Sequence, residues 1–206
     1  MKKIIWLFVV VLLSGCAVGN KYDYRSSSID LPVKSTEHND LVFSAEDARP
    51  YVLQGKKNPN FVGLQRGGFG NPFDVTTASG KPLAEDMSVA ITNALKDSGY
   101  QVLNVEGTTD FDFLVNSATK NGATRIVTLK VREWKSDIFM SITLHCDLEL
   151  KVFNTNGEML ANSNMTFVEE IGGAQIGGAK NSEEVAREFA KRIGYLFNKN
   201  DIRSVL

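Results

Sequence analysis

The chain has 206 residues, with 23 Lys and Arg against 24 Asp and Glu, for a formal net charge of −1. That length suits one domain with an extension. The balanced charge, with no basic stripe and no polybasic run, argues against a nucleic-acid partner and against purely electrostatic attachment to anionic lipid.

The chain opens with Lys2 and Lys3, then an unbroken apolar run of ten residues, Ile4 to Leu13. A membrane-spanning helix needs about 20 apolar residues, so this run is too short to span. It fits the apolar region of a secretory signal. Ser14 and Gly15 then lead into Cys16. The stretch Leu13-Ser14-Gly15-Cys16 resembles the lipobox of bacterial lipoproteins, in which diacylglycerol joins the cysteine through a thioether and the peptide is cut before it. An ordinary signal peptide with an incidental cysteine is the alternative. The resemblance implies loss of residues 1–15 and lipidation of Cys16. The mature chain would then have 191 residues, with 21 basic against 24 acidic, net −3. One acyl chain holds a protein only marginally, at about 0.8 kcal/mol per buried CH₂, but two or three hold it essentially permanently. Ala17, where an Asp would signal inner-membrane retention, resembles the default that goes to the outer membrane. The expected location is therefore the outer membrane, facing the periplasm, or the cell membrane in an organism without an outer one.

With Cys16 taken by lipid, Cys146 is the single remaining thiol, and no intramolecular disulfide is possible. Residues 17–40 hold few large apolar side chains and are punctuated by Ser26-Ser27-Ser28 and Pro32. They read as a flexible linker, so that residues 16–40 form a lipidated tether ahead of a single domain over 41–206. A coil of that length reaches about 25–30 Å, enough to hold the domain off the membrane. Tyr22 and Tyr24 within it are read as solvated, or as contacts for the interface or a partner.

Leu41 to Ser44 reads as a first strand. Glu46 to Gly80 reads as a long irregular stretch containing Pro50, Pro59 and Pro72, with a short strand at Phe61 to Leu64. Loops of this length are uncommon in compact domains unless functional. Its segment Arg66-Gly67-Gly68-Phe69-Gly70-Asn71-Pro72-Phe73 lacks the Lys-Ser/Thr ending and following helix of a phosphate loop. Arg66, Phe69 and Phe73 are instead candidate partner-binding residues, the alternative being that the two rings plug the core. A helix starts at Pro82, with Glu85 and Asp86 suiting its positive end. Leu83, Met87, Ala90, Ile91, Ala94 and Leu95 share one face, and Gly99 ends it. Tyr100 to Val105 reads as a strand. A second helix begins near Thr109, with Asp112 as a capping partner and a stripe of Phe111, Leu114, Val115 and Ala118, and stops at Asn121-Gly122. Asp110 and Asp112 need no metal to explain them, and no metal or cofactor site is expected.

Ile126 to Trp134 alternates, with Val127, Leu129 and Val131 on one face, and a turn is expected near Lys135-Ser136-Asp137. From Met140 to Val152 every even residue is apolar and every odd one polar, the signature of a half-buried strand. This places Cys146 inside and His145 outside. Asn156-Gly157 is a favoured two-residue hairpin turn. It sets Val152 opposite Ala161, Leu150 opposite Ser163, Leu148 opposite Met165 and Cys146 opposite Phe167. The glycine-rich Ile171 to Gly178 reads as a loop, either a connector or a mobile flap. A last helix runs from about Ser182 to Asn198, capped by Asn181, with Val185, Phe189, Ile193, Leu196 and Phe197 on its face. The expected fold is α+β: a mainly antiparallel sheet with a three-strand meander and about three helices packed on one face.

The lipobox, the tether, the helix ending Asp97-Ser98-Gly99-Tyr100-x-Val102 and the meander turning at Asn156-Gly157 are together similar to small periplasmic lipoproteins of the YajG-like kind. The element order over roughly residues 80–200 also resembles the domain shared by lipoprotein activators of penicillin-binding proteins, the curli secretion lipoprotein and transporter-auxiliary lipoproteins. The resemblance implies a non-enzymatic module that binds another envelope protein, and carries over no functional residue besides Cys16. A lipid or small-ligand carrier, using the sheet's apolar face and the Ile171–Gly178 flap, is the alternative. For an enzyme the candidates are poor, since neither His38 nor His145 stands beside a nucleophile in sequence.

Overall fold

A computed structural model describes residues 20–35, 40–107, 110–174 and 179–206. Its organising strand is the 14-residue β6 (Arg125–Ile138). Three neighbours pair with it. Along one edge the antiparallel meander continues through β7 (Ser141–Phe153) to β8 (Met159–Gly173). The other edge is divided. Its first half pairs in parallel with β2 (Asp40–Asp47), which carries β5 (Gln101–Asn104) beyond it. Its last residues pair in parallel with β3 (Phe61–Arg66), which leads through β4 (Pro72–Thr77) to β1 (Lys21–Tyr22). The result is an eight-stranded mixed sheet curled into a half-barrel, not the mainly antiparallel one expected; four of its pairings are parallel.

Arg49 occupies the fork where β2 and β3 part. It is fully buried. Its guanidinium grips Asp47 through Nε at 2.8 Å and Nη2 at 2.6 Å, and donates to the carbonyls of Phe61 at 2.5 Å and Pro59 at 3.0 Å. A buried charge is tolerable only when paired and hydrogen-bonded in this way. The short helix α1 (Pro50–Leu53) follows. Close contact across the fork also needs Gly63, because a Cβ there would lie 2.5 Å from the Ser136 carbonyl oxygen.

The meander follows the alternation closely. Ile142, Leu144, Cys146, Leu148, Leu150 and Val152 are all buried, and the β7–β8 register is the one the sequence sets. The turn differs. Asn154 Oδ1 accepts the Asn156 and Glu158 amides, Gly157 adopts φ +84°, and a register shift beside Phe153 absorbs the longer loop. In β6, Arg132 forms a bulge between Val131 and Glu133. The extra residue moves the inward face from odd to even positions, so Trp134, Ser136 and Ile138 are buried. The strand therefore runs through the expected turn at 135–137 and reverses at Phe139 and Met140.

The helices do not share one face. α2 (Leu83–Asp97), α4 (Ala179–Phe197) and α5 (Asn200–Val205) cover the concave core, built around Trp134, Phe189, Phe197, Met87 and Leu95. α3 (Phe111–Asn121) covers a small second core on the other face, with Val42, Leu114, Ala118 and Ile126. Its cap is Asp110, whose carboxylate accepts the Phe113 amide at 3.2 Å. Of the loop expected over 171–178, the first three residues are strand, since β8 continues to Gly173, and 175–178 lie outside the described residues.

Residues 20–35 correct the tether reading. Tyr22, Tyr24, Ile29, Leu31 and Val33 are buried in the main core. β1 pairs with β4, and Arg25 reaches Glu85 and Asp86 at the start of α2. Tyr24 packs edge-on against Trp134 and Phe189, and its hydroxyl accepts the Trp134 indole N–H at 3.0 Å. Burying so much apolar area outweighs the entropy the segment gains as a coil. Residues 20–35 therefore pack as part of the domain, ahead of residue 41. The signal peptide, Cys16, His38 and Thr109 lie outside the described residues.

Candidate functional site

The loop that the sequence singled out is the tip of the β3–β4 hairpin. Gly67 N–H donates to Asn71 O at 2.9 Å and Gly70 N–H to Gly67 O at 2.8 Å, closing a tight turn. Phe69 stands at its apex and is 99% exposed. The other two candidates are engaged. Arg66 grips Asp137 with both arms, Nε to Oδ1 at 2.8 Å and Nη2 to Oδ2 at 2.6 Å. The Phe73 ring lies half-buried beside Gly67. Arg66 and Phe73 thus shape the tip, and Phe69 alone is presented.

The Arg66–Asp137 pair ties this tip to a second one. Gln65 pairs with Ile138, so β3 and β6 end side by side. The β6–β7 turn then exposes Met140 at 81% and Phe139 at 49%. The last residues of β8 close the group, with Ala174 N–H donating to Met140 O at 3.1 Å. Phe69 and Met140 are the two most exposed large apolar side chains among the described residues. Sequence reading placed Met140 on the inward face of a strand and passed over Phe139. The one available clue was the pair Phe139-Met140 itself, which interrupts both alternating runs.

Reactive groups elsewhere are engaged in structure. Burial pushes the Cys146 thiol up to about 12, so it is a core residue with little thiolate at neutral pH. His145 faces outward, as expected. Partial burial and Lys135 hold its pKa below the ordinary value, Glu133 and Asp137 opposing them. Tyr51 donates to Glu133 at 2.5 Å, and burial first, then that bond, raises its pKa. The outer face of the meander carries a ladder of ion pairs, Arg132 with Glu149 and Asp147, and Lys151 with Glu149. A cavity of about 290 Å³ at the start of α2 is lined by Glu46, Asp47, Glu85 and Glu106. Lys130, Arg49 and Arg25 neutralise the first three. Among the described residues no group of three or more His, Cys, Asp or Glu side chains is arranged to hold a metal ion.

No protein-family model matches the chain, and no curated protein matches its sequence. Its fold does have counterparts. The chain shares the fold of XCC0632 from Xanthomonas campestris. That protein, of the DUF330 family model, superposes with a TM-score of 0.53 at 13% identity, over 86% of this chain and 94% of that one. PelC from Paraburkholderia phytofirmans, a dodecamer, gives 0.44 at 12% identity over 81% and 93%. The lipoprotein GNA1162 from Neisseria meningitidis gives 0.38 at 10% identity over 76% and 98%. At 13% identity the likeness to XCC0632 is one of fold alone.

Proposed function

We propose that the chain is a lipid-anchored envelope protein of the YajG-like kind that works by binding and not by catalysis. Cys16 carries the lipid, the domain faces the periplasm from the outer membrane, and another envelope component is recognised at its surface. One observation carries the reading: Phe69, Phe139 and Met140 are exposed on two turns at the same end of the sheet, while Arg49 and Tyr51 are held by Asp47 and Glu133 and Cys146 is buried. Contiguous exposed apolar side chains mark interaction sites. Among the described residues no helix is long and apolar enough to cross a membrane.

The carrier alternative finds less support. The apolar face of the sheet is filled by the chain's own Trp134, Phe189 and Met87, and the first three residues of the expected flap are strand.

The test is in-cell crosslinking of tagged full-length protein, followed by membrane solubilisation and mass spectrometry, with Cys16→Ala as control. One dominant envelope component, lost in the control, supports a tethered binding module. Activity on a small substrate that survives purification and disappears with His145→Ala contradicts it.

A further inference from the structure

We infer that the Phe69–Phe139–Met140 end of the sheet is a membrane-contact surface, seated in the interface of the bilayer that holds the Cys16 lipid. The inference rests on the lipid-anchored reading above and deepens it, by naming the bilayer as what that end of the domain touches.

The argument is one of chain direction and length. β1 runs parallel to β4, with Lys21 opposite Thr76 and Tyr22 opposite Thr77. Going backwards from Lys21 therefore leads toward Pro72, the tip end of β4. Asn20 fixes the level of entry: its carbonyl accepts the Thr76 amide at 3.1 Å, and its side-chain amide donates to Gln65 Oε1 at 2.8 Å. Gln65 pairs with Phe73 on one side and Ile138 on the other. The backbone thus meets the domain at the level of Val75, Gly63 and Ser136, and the Asn20 side chain reaches on to the level where both exposed turns begin. Cys16 lies four residues earlier, and four residues span at most about 14 Å. From the Asn20 level to the Phe69 apex is about 17 Å of hairpin at strand rise, a few ångströms beyond that reach and within the depth to which interfacial apolar side chains bury. A lipid on Cys16 and the apolar tips can therefore reach the same plane.

A long coil would have permitted any orientation. With residues 20–35 packed onto the domain, Cys16 stands only four residues before Asn20, and this end of the sheet faces the bilayer. The side chains suit that position. Aromatic rings favour the headgroup level, and apolar side chains of interfacial proteins bury to about 5–10 Å. The charged pair at this end, Arg66 and Asp137, is mutually neutralised, while the exposed Glu170 stands back from the tip on β8, opposite Thr143. The opposite end of the meander, the turn at Asn154 to Glu158, is polar and points away.

The experiment uses mature lipidated protein, purified from membranes and reconstituted into vesicles of phosphatidylethanolamine and phosphatidylglycerol. Single cysteines are introduced by Phe69→Cys, Met140→Cys or Asn156→Cys and labelled with an environment-sensitive fluorophore; native Cys146 is buried and stays unlabelled. All three positions are exposed, so the fold is retained. The expected result is several-fold stronger quenching of the Phe69→Cys and Met140→Cys labels by bromolipid than of the Asn156→Cys label. If the protein floats with the vesicles but the three labels are quenched alike, the orientation is wrong and the anchor stands. If the tip labels are shielded from aqueous iodide without being quenched by lipid, a protein or a second copy covers that end, and the inference fails. If the protein does not float with vesicles, the anchored reading and the inference fall together.

Discussion

The Asn20 side-chain amide donates to Gln65 Oε1 at 2.8 Å, so the chain enters the domain beside the two exposed turns. This bond and the β1–β4 pairing set Asn20 and Lys21 near the apolar end of the sheet. The bonds further along the same segment test whether it belongs to the fold.

Tyr24→Phe removes the acceptor of the Trp134 indole N–H and leaves a buried donor unsatisfied. The expected loss is about 1–3 kcal/mol, read as a lower urea midpoint at unchanged slope. A solvated linker residue would change stability by less than about 0.5 kcal/mol, and a null result would return residues 20–35 to the tether.

Gly63→Ala drives a Cβ into the Ser136 carbonyl at the β3–β6 junction. Backbone cannot yield as a side chain tip can, so destabilisation of at least about 1–3 kcal/mol is expected in denaturant unfolding. Gly68→Ala, which meets nothing within 4 Å, is the matched control and should unfold like the parent.

Asp137 gives the pH dependence. Its bond to Arg66, the Arg66 charge, and the charges of His145 and Lys135 hold its pKa below the ordinary value, against partial burial. The folded state therefore prefers the ionised form. The stabilisation is complete above the unfolded pKa of about 3.9 and is lost as pH falls through the lower folded pKa. Melting of the parent and of Asp137→Asn should differ at pH 7 and converge under strongly acid conditions. Curves that stay parallel would deny the pair a stabilising role.

Cys146 should resist alkylation in native protein and react on unfolding, since burial raises its thiol to about 12. Rapid native labelling would instead mean an accessible thiolate.

The meander was legible because every even residue from Ile142 to Val152 is apolar and the Asn-Gly turn supplied an independent register. Beyond it, a single bulged residue was enough to mislead. Arg132 has no sequence signal as a bulge, and the parity change it causes made Trp134 to Ile138 look like a turn. The second face was written in consecutive apolar residues, Leu41-Val42-Phe43 and Ile126-Val127. Such pairs occur when a strand is covered on both sides, and α3 is what covers the second. The N-terminal segment carried its own clue in Tyr22-x-Tyr24 and Ile29-x-Leu31-x-Val33, two short alternating runs hidden among serines and charges. Arg49 was not legible at all, because its role exists only where β2 and β3 diverge in space. Phe69 drew notice in the sequence for its place among glycines and stands exposed, whereas the exposure of Phe139 and Met140 depended on where β6 ends.

The most direct measurement is the intact mass of the protein extracted from bacterial membranes. The account predicts a chain that starts at Cys16 and carries diacylglycerol, with or without a third acyl chain on the new amino group. A chain retaining residues 1–15, or one starting at Cys16 without lipid, would contradict it.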